Sequence, residues 1–422
     1  MRKMKDSGIE WIGEIPEEWQ TIKFKYLHNQ SNVGNSIDKD YWTSEENDTV
    51  FYTAGLYPIH TSYKDFPTEK YTTQNDILLA RNGTPYVYFP VPDAVYSDHI
   101  IRVGINKRYC KRYIGYCLQQ SINFEIVDTV SIATWSVSVW DKQFLCLPPI
   151  QEQQAIAAFL DRKCSEIDSV TAKTKATIEE YKKLKQAIIT QAVTKGIRKG
   201  RKMKDSGVEW IGEIPEEWEL RPFRHILKER NEKNYPIKST ERLSLSIELG
   251  VTLYSEKTTN LDRFKDDFEE YKLAHIGDLV MNSMNMIVGA TGVSDYYGCV
   301  SPIYYTFYDE NENHITAKFC EYIFRSKAML RVLYSMGKGI YAIVRGDDRV
   351  NTCRLKVAKE DLKSLLLPIP SLDEQQEIID YIYKKCAAID TLIAKKEQLL
   401  TELESYKKSV IYEYVTGKKE VI

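Results

Sequence analysis

RKMKDSGIEWIGEIPEEW at 2–19 returns as RKMKDSGVEWIGEIPEEW at 201–218, with only Ile9/Val208 differing. A second block is duplicated further along. PPIQEQQAIAAFLDRKCSEID at 148–168 corresponds to PSLDEQQEIIDYIYKKCAAID at 370–390, and the copies close on Ala-Val-Thr-Lys-Gly (192–196) and Tyr-Val-Thr-Gly-Lys (414–418). The first block repeats at an offset of 199 and the second at 222, so the material between them is 23 residues longer in the second copy. The chain therefore runs signature, variable segment, helix, and then the same again.

The blocks at 151–195 and 373–416 contain no proline and no internal glycine and open on Glu-Gln-Gln, which predicts two long helices. Apolar residues recur at near-heptad spacing. In the first these are Leu160, Cys164, Ile167, Val170, Ile178, Tyr181, Leu184 and Ile188. In the second they are Ile382, Cys386, Ile389, Leu392, Leu399, Leu403, Tyr406 and Val410. A single apolar seam between charged flanks predicts helix-on-helix packing. Roughly 40 residues at about 1.5 Å rise make each helix on the order of 60 Å long. If the halves are related by a pseudo-twofold, the helices run antiparallel and the chain's ends come together.

The variable segments, about 20–146 and 219–367, differ in sequence but share landmarks. Asp76-Ile-Leu-Leu answers Asp278-Leu-Val-Met, each an acidic turn residue leading into a buried-strand-like run. Apolar, β-rich stretches follow near 94–103 and 298–307. A short helix comes next, with Tyr113, Tyr116 and Cys117 echoed by Phe319, Tyr322 and Ile323. Two diverged copies of one α/β fold is the economical reading. The expected fold class is α+β: two similar α/β domains separated by two long antiparallel coiled-coil helices, pseudo-twofold and circularly arranged.

The 422 residues, 43% apolar and 28% charged, are those of an ordinary soluble protein. No run approaches the length a membrane helix needs, the N-terminus has no apolar signal core, and the eight cysteines form no CxxC pair. A reducing, cytoplasmic setting with no metal is expected. The net charge of −2 is low for a protein that grips DNA unaided.

A search for catalytic chemistry finds none. Pro148-Pro149 lies between Leu147 and Ile150, with no polar residue to hold an adenine amino group. Gly337-Lys338-Gly339 is too short for a phosphate loop, and the six histidines lack metal spacing. Acidic pairs such as Asp266-Asp267 and Asp347-Asp348 read as solvated surface. No catalytic residue and no cofactor is expected.

On the duplicated Gly-Ile/Val-Glu-Trp-Ile-Gly-Glu-Ile-Pro signatures (8–16 and 207–215), the Glu-Gln-Gln helix openings and the Val-Thr helix ends, the chain resembles the specificity subunits of type I restriction-modification systems. Gly277-Asp278-Leu-Val-Met-Asn and Val300-Ser301-Pro302-Ile303-Tyr304 also resemble that family's recognition domains, while Gln74-Asn75-Asp76 departs from the usual glycine before the aspartate. The resemblance implies a non-catalytic subunit with two target recognition domains, each reading half of a split, asymmetric site in double-stranded DNA. It implies helices that space the halves and dock two methyltransferase subunits of an adenine-N6 enzyme, with motor-nuclease subunits joining for restriction and no membrane involved. The matching division is a first recognition domain at 1–146, a central helix at 147–199, a second domain at 200–368 and a C-terminal helix at 369–422.

Base edges are read by polar side chains on loops, while Lys and Arg position the backbone. Candidates sit where a strand ends in a polar loop: Arg81, Asn82 and Thr84 in the first domain, Asn282, Ser283 and Asn285 in the second. Lys338, Arg345 and Arg349 occupy a later Gly-rich stretch. The junction supplies Lys199, Arg201 and Lys202, equally readable as a solvated linker. The helix-packing candidates are Leu160, Ile167, Tyr181, Ile188, Ile382, Ile389, Leu403, Tyr406 and Val410. Trp11, Trp19, Trp210 and Trp218 should anchor the signatures, because identical segments cannot confer different specificities. Two other readings remain open here: a coiled-coil adaptor that binds only proteins, favoured by the near-zero charge, and an orphan nuclease or methylase, disfavoured by the missing motifs.

Overall fold

The computed structural model describes residues 2–124, 134–257, 267–310, 314–340 and 354–421. By packing, the chain divides into one unit of Met1–Lys175 with Glu397–Ile422 and a second of Ala176–Lys396. The division cuts both long helices, so each unit owns part of each.

In the first unit the central sheet is built from β1 (His28–Val33), β2 (Asp76–Ala80), β3 (Val87–Tyr88) and β4 (Ile100–Ile105). Its order is β1-β4-β2-β3, antiparallel throughout. All five residues of β2 are buried, because both faces of the sheet are covered. Ile77 and Leu79 point to a core shared with Tyr113, Cys117 and Leu118 of α1 (Lys111–Phe124). Leu78 and Ala80 point the other way, into a smaller core with Tyr52, Tyr88 and Tyr96. Asp76 is 4% exposed; its carboxylate accepts from the Thr73 amide at 2.6 Å and lies 3.8 Å from Arg102 on β4. The acidic residue thus locks the turn that launches the central strand.

The second unit repeats the plan with β5 (Lys228–Glu229), β6 (Leu279–Asn282), β7 (Thr291–Val293) and β8 (Tyr304–Tyr308) in the order β5-β8-β6-β7. Asp278 occupies the place of Asp76: it is 1% exposed and accepts from the His275 amide at 2.9 Å and from Arg230 at 2.6 Å. The shared Asp is therefore a folding residue in both. Each signature forms a two-stranded hairpin, Met4–Asp6 with Glu14–Pro16 and Met203–Asp205 with Glu213–Pro215.

The long helices are α2 (Ile150–Lys195) and, after α3 (Ile315–Arg325) and α4 (Lys327–Met336) of the second unit, α5 (Leu372–Val415). Within each unit they run antiparallel. In the first, Phe159 stacks on Tyr414 at 4.3 Å and Lys407 reaches Asp168 at 2.6 Å. In the second, Lys185 reaches Asp390 at 2.7 Å. These two ion pairs are the same pair of repeat positions with the helices exchanged, since Asp168/Asp390 and Lys185/Lys407 are each 222 apart.

Leu160, Ile167, Ile382, Ile389 and Val410 are buried, and Tyr181, Ile188 and Leu403 are half-buried. Tyr406 departs from expectation, being 50% exposed, as do Val170, Leu184 and Leu392. A stripe continues equally well by steps of three or four residues. The protein takes the alternatives: Lys407 lies half-buried between Leu403 and Val410, and Thr174 is buried between Ile167 and Ile178. A lysine stem can line a seam while its ammonium reaches a carboxylate at the edge.

Each long helix ends on a left-handed glycine, Gly196 (φ +70°) and Gly417 (φ +71°). A Cβ at Gly417 would sit 2.5 Å from Pro16 Cδ, so the glycine also allows the C-terminus to close onto the N-terminal signature. There Lys418 donates to the Ile12 carbonyl at 2.7 Å and Arg2 pairs with Glu420 at 3.1 Å, so the two described chain ends meet within the first unit. Among the described residues no helix is long and apolar enough to cross a membrane.

Candidate nucleic-acid interface

What is repeated in sequence forms a clamp. The indole N–H of Trp19 donates to Glu152 at 3.1 Å, and Arg2 donates to the same carboxylate at 2.5 Å. In the second copy Trp218 donates to Glu374 at 3.0 Å, and Arg201 bonds both Glu374 and Glu217. Each glutamate stands in the first turn of a long helix, where a negative charge also meets the positive end of the helix dipole. The next residues tie the same turn to the preceding chain, Gln153 to the Pro148 carbonyl at 2.8 Å and Gln375 to that of Pro370 at 3.0 Å. The Glu-Gln-Gln opening is thus the receptor for the signature, a pairing that the sequence carried in its repeat but that spacing alone did not reveal.

This geometry alters the reading of the basic junction. Arg201 has a side chain only 9% exposed, enclosed by two carboxylates, and Arg198 forms a two-bond pair with Glu377 at 2.8 and 2.9 Å. Arg201 is consequently a structural cation, unsuited to a phosphate. Lys199 and Lys202 are exposed.

The loop candidates divide in the same way. After β2, Arg81 and Thr84 are exposed; Asn82 bonds His99 at 2.8 Å and bridges to Thr134, and the Trp135 indole closes the turn on the Gly83 carbonyl at 2.7 Å. At the end of β6, Asn282 and Ser283 are 7% and 0% exposed and cannot reach a base edge. The Asn282 carboxamide oxygen is taken by the amides of Met284 and Asn285 at 3.0 and 3.3 Å, an Asx turn that makes it a local backbone cap. Asn285 remains exposed. Lys338 is exposed on the strand Lys338–Ile340, 3.2 Å from Asp361. Arg345 and Arg349, with Asp266, Asp347 and Asp348, lie outside the described residues.

Burial pushes the thiol of Cys146 up to about 12 and that of Cys164 above its ordinary value, which removes the thiolate a nucleophile needs. Among the described residues no group of three His, Cys, Asp or Glu side chains could hold a metal ion. Each unit thus carries a clamp of the same bonding and an exposed polar loop after the equivalent strand.

Comparison with known proteins agrees on one assignment. Residues 16–180 match the family model described as a type I restriction modification DNA specificity domain. Two Methanocaldococcus jannaschii chains carry the name of type I restriction enzyme specificity subunits, MjaX provisionally and MjaVIII. They are 25% and 22% identical over 97% and 96% of this chain and 96% and 94% of their own. The EcoBI specificity subunit of Escherichia coli is 20% identical over 99% of this chain and 90% of its length. A solved structure from work on complex assembly and conformational transition of the type I R-M system superposes with a TM-score of 0.64 at 12% identity, covering 96% of this chain and 99% of that one.

Proposed function

From the similarity of the chain to the DNA-specificity subunits of type I restriction-modification systems, we propose that it is such a subunit and that its two recognition domains each read one half of a split, asymmetric DNA site. It catalyses nothing itself. The long helices set the separation of the halves and dock two methyltransferase subunits that modify adenine at N6; motor-nuclease subunits join the assembly for restriction. The functional division we propose is 1–146 and 200–368 as readers, with 147–199 and 369–422 as spacer helices.

One observation carries this reading. The same strand order ends in different exposed side chains, Arg81 and Thr84 after β2 but Asn285 after β6, while the clamps beneath are alike in sequence and bonding. Direct readout needs differing donors and acceptors on a constant frame, and such loops supply them. We assign Arg81, Thr84 and Asn285 to the reading surface, with Lys199, Lys202 and Lys338 as backbone contacts.

The test is replacement of 20–146 by the corresponding segment of a relative, followed by mapping of modified adenines after co-expression with the methyltransferase. One half of the modified site should change and the other persist. An unaltered pattern would overturn the assignment, and absence of salt-dependent DNA binding by the assembled complex would favour a protein-only adaptor.

A further inference from the structure

Four cations line one cavity of about 600 Å³ in the second unit: Lys183 and Lys195 on α2, and Lys327 and Arg331 on α4. Among the described residues none of the four takes part in an ion pair and no carboxylate contributes to the lining. This contrasts with the junction nearby in sequence, where Arg198 and Arg201 are neutralised by Glu377 and Glu374. The groove also borders the first turn of α4, whose dipole adds partial positive charge, and one wall is the half-exposed indole of Trp210. In its floor Thr190 Oγ1 and Gln186 Oε1 are buried with no hydrogen-bond partner among the described residues.

The first copy closes the equivalent place. Tyr412 stands at the repeat position of Thr190; its hydroxyl donates to the Ile12 carbonyl at 3.3 Å, and Lys418 sits 4.1 Å above its ring. Trp11, twin of Trp210, is accordingly only 9% exposed. Nearly identical signature sequence therefore borders a site filled by Tyr412 in one copy and, among the described residues, an open basic groove with no paired carboxylate in the other.

We infer that this groove holds the DNA sugar-phosphate backbone beside the second half-site. The inference rests on the DNA-reading role proposed above and deepens it by naming where the phosphate grip lies. In a chain of net charge −2, cations that its own carboxylates leave free are the best placed to supply that grip, and among the described residues these four are such cations. An acidic segment of a duplicated partner is the weaker candidate, because a dock for two like subunits belongs in both copies and this groove is open in one.

The test uses the assembled methyltransferase complex with the Lys183→Gln, Lys195→Gln, Lys327→Gln, Arg331→Gln variant. DNA affinity is titrated against salt on cognate and non-cognate duplexes. The expected result is a log–log salt slope shallower by about 2–4, at ~0.9 for each phosphate that the variant no longer neutralises, equal on both duplexes. The modified sequence and the complex mass should stay those of the parent. Thr190→Tyr, which imports the plug of the first copy and removes no charge, should weaken binding in the same direction. An unchanged slope in an intact complex, an inert Thr190→Tyr beside a flattened four-site variant, or loss of assembly with DNA affinity retained would each overturn the groove assignment. If the parent complex bound DNA without salt dependence, the reading role itself would fall, and the groove with it.

Discussion

The two clamps are built from the same signature yet are not equally enclosed. In the second unit Arg201 and Glu374 are 9% and 3% exposed, whereas in the first Arg2 and Glu152 are 30% and 22% exposed. The difference lies in how the chain arrives. Arg201 follows the helix through a covalent junction that folds back onto Glu374, while Arg2 reaches Glu152 from a separate segment and pairs also with the exposed Glu18 and Glu420. Burial, more than residue identity, decides how costly a broken ion pair becomes.

This difference predicts the largest effect. Glu374→Ala leaves Arg201 buried against Glu217 alone and should lower the stability of the second unit by about 3–5 kcal/mol. Glu152→Ala exposes a partly solvated arginine and should lower that of the first by about 1–2 kcal/mol. Native-state hydrogen exchange resolves the units separately, which a single melting curve on a two-unit chain does not. Equal losses would break the comparison.

A smaller contrast separates residues that sequence alone treats alike. Asn282→Ala removes the acceptor of an Asx turn and should cost about 1–2 kcal/mol of stability, with the modified sequence unchanged. Asn285→Ala should leave stability within about 0.5 kcal/mol and relax base preference in the second half-site by about 1–3 kcal/mol. Competition binding against single-base variants of the site reads the second effect. A change of preference in Asn282→Ala at full stability would reverse the assignment.

Those two asparagines also mark where the sequence stops being legible. The duplicated blocks, the antiparallel helices and the buried Asp76 and Asp278 strands follow from repetition and periodicity, because those signals are local or are read by comparing the chain with itself. Tyr406 misled because a stripe offers two adjacent candidates at each turn, and the choice between Tyr406 and Lys407 was made by Asp168, far off in sequence. Asn282 misled because a polar residue at a strand end can face out or cap its own turn with the same local sequence, and Ser283 because its burial is set by a partner far off in sequence, the Val357 amide donating to its carbonyl at 3.0 Å. The groove of Lys183 and Arg331 was invisible for a simpler reason: its cations come from helices some 150 residues apart, and their freedom depends on which carboxylates fail to reach them.

The smallest expected effect tests a contact that the two units make with different residues. In the first, His28 at the start of β1 bonds Asp141 at 2.8 Å. In the second, Glu229 on β5 is held by Lys359 at 2.5 Å and Lys363 at 2.8 Å. Burial alone would push the Glu229 carboxyl up, but the hydrogen bonds from the two lysines outweigh it and hold the group below the ordinary carboxylate range. A folded-state pKa lower than the unfolded one stabilises the fold above the unfolded value of about 4.3, and the contribution disappears as pH falls through the folded value. Exchange protection of the second unit should therefore decline below about pH 4 by up to ~1 kcal/mol from this group, discounted because both lysines are partly solvated. Glu229→Gln should remove that portion of the decline and leave the first unit's profile untouched. A Glu229→Gln profile superimposable on the parent's would show that the lysines, and not the carboxylate charge, hold β5 to the helix at 359–364.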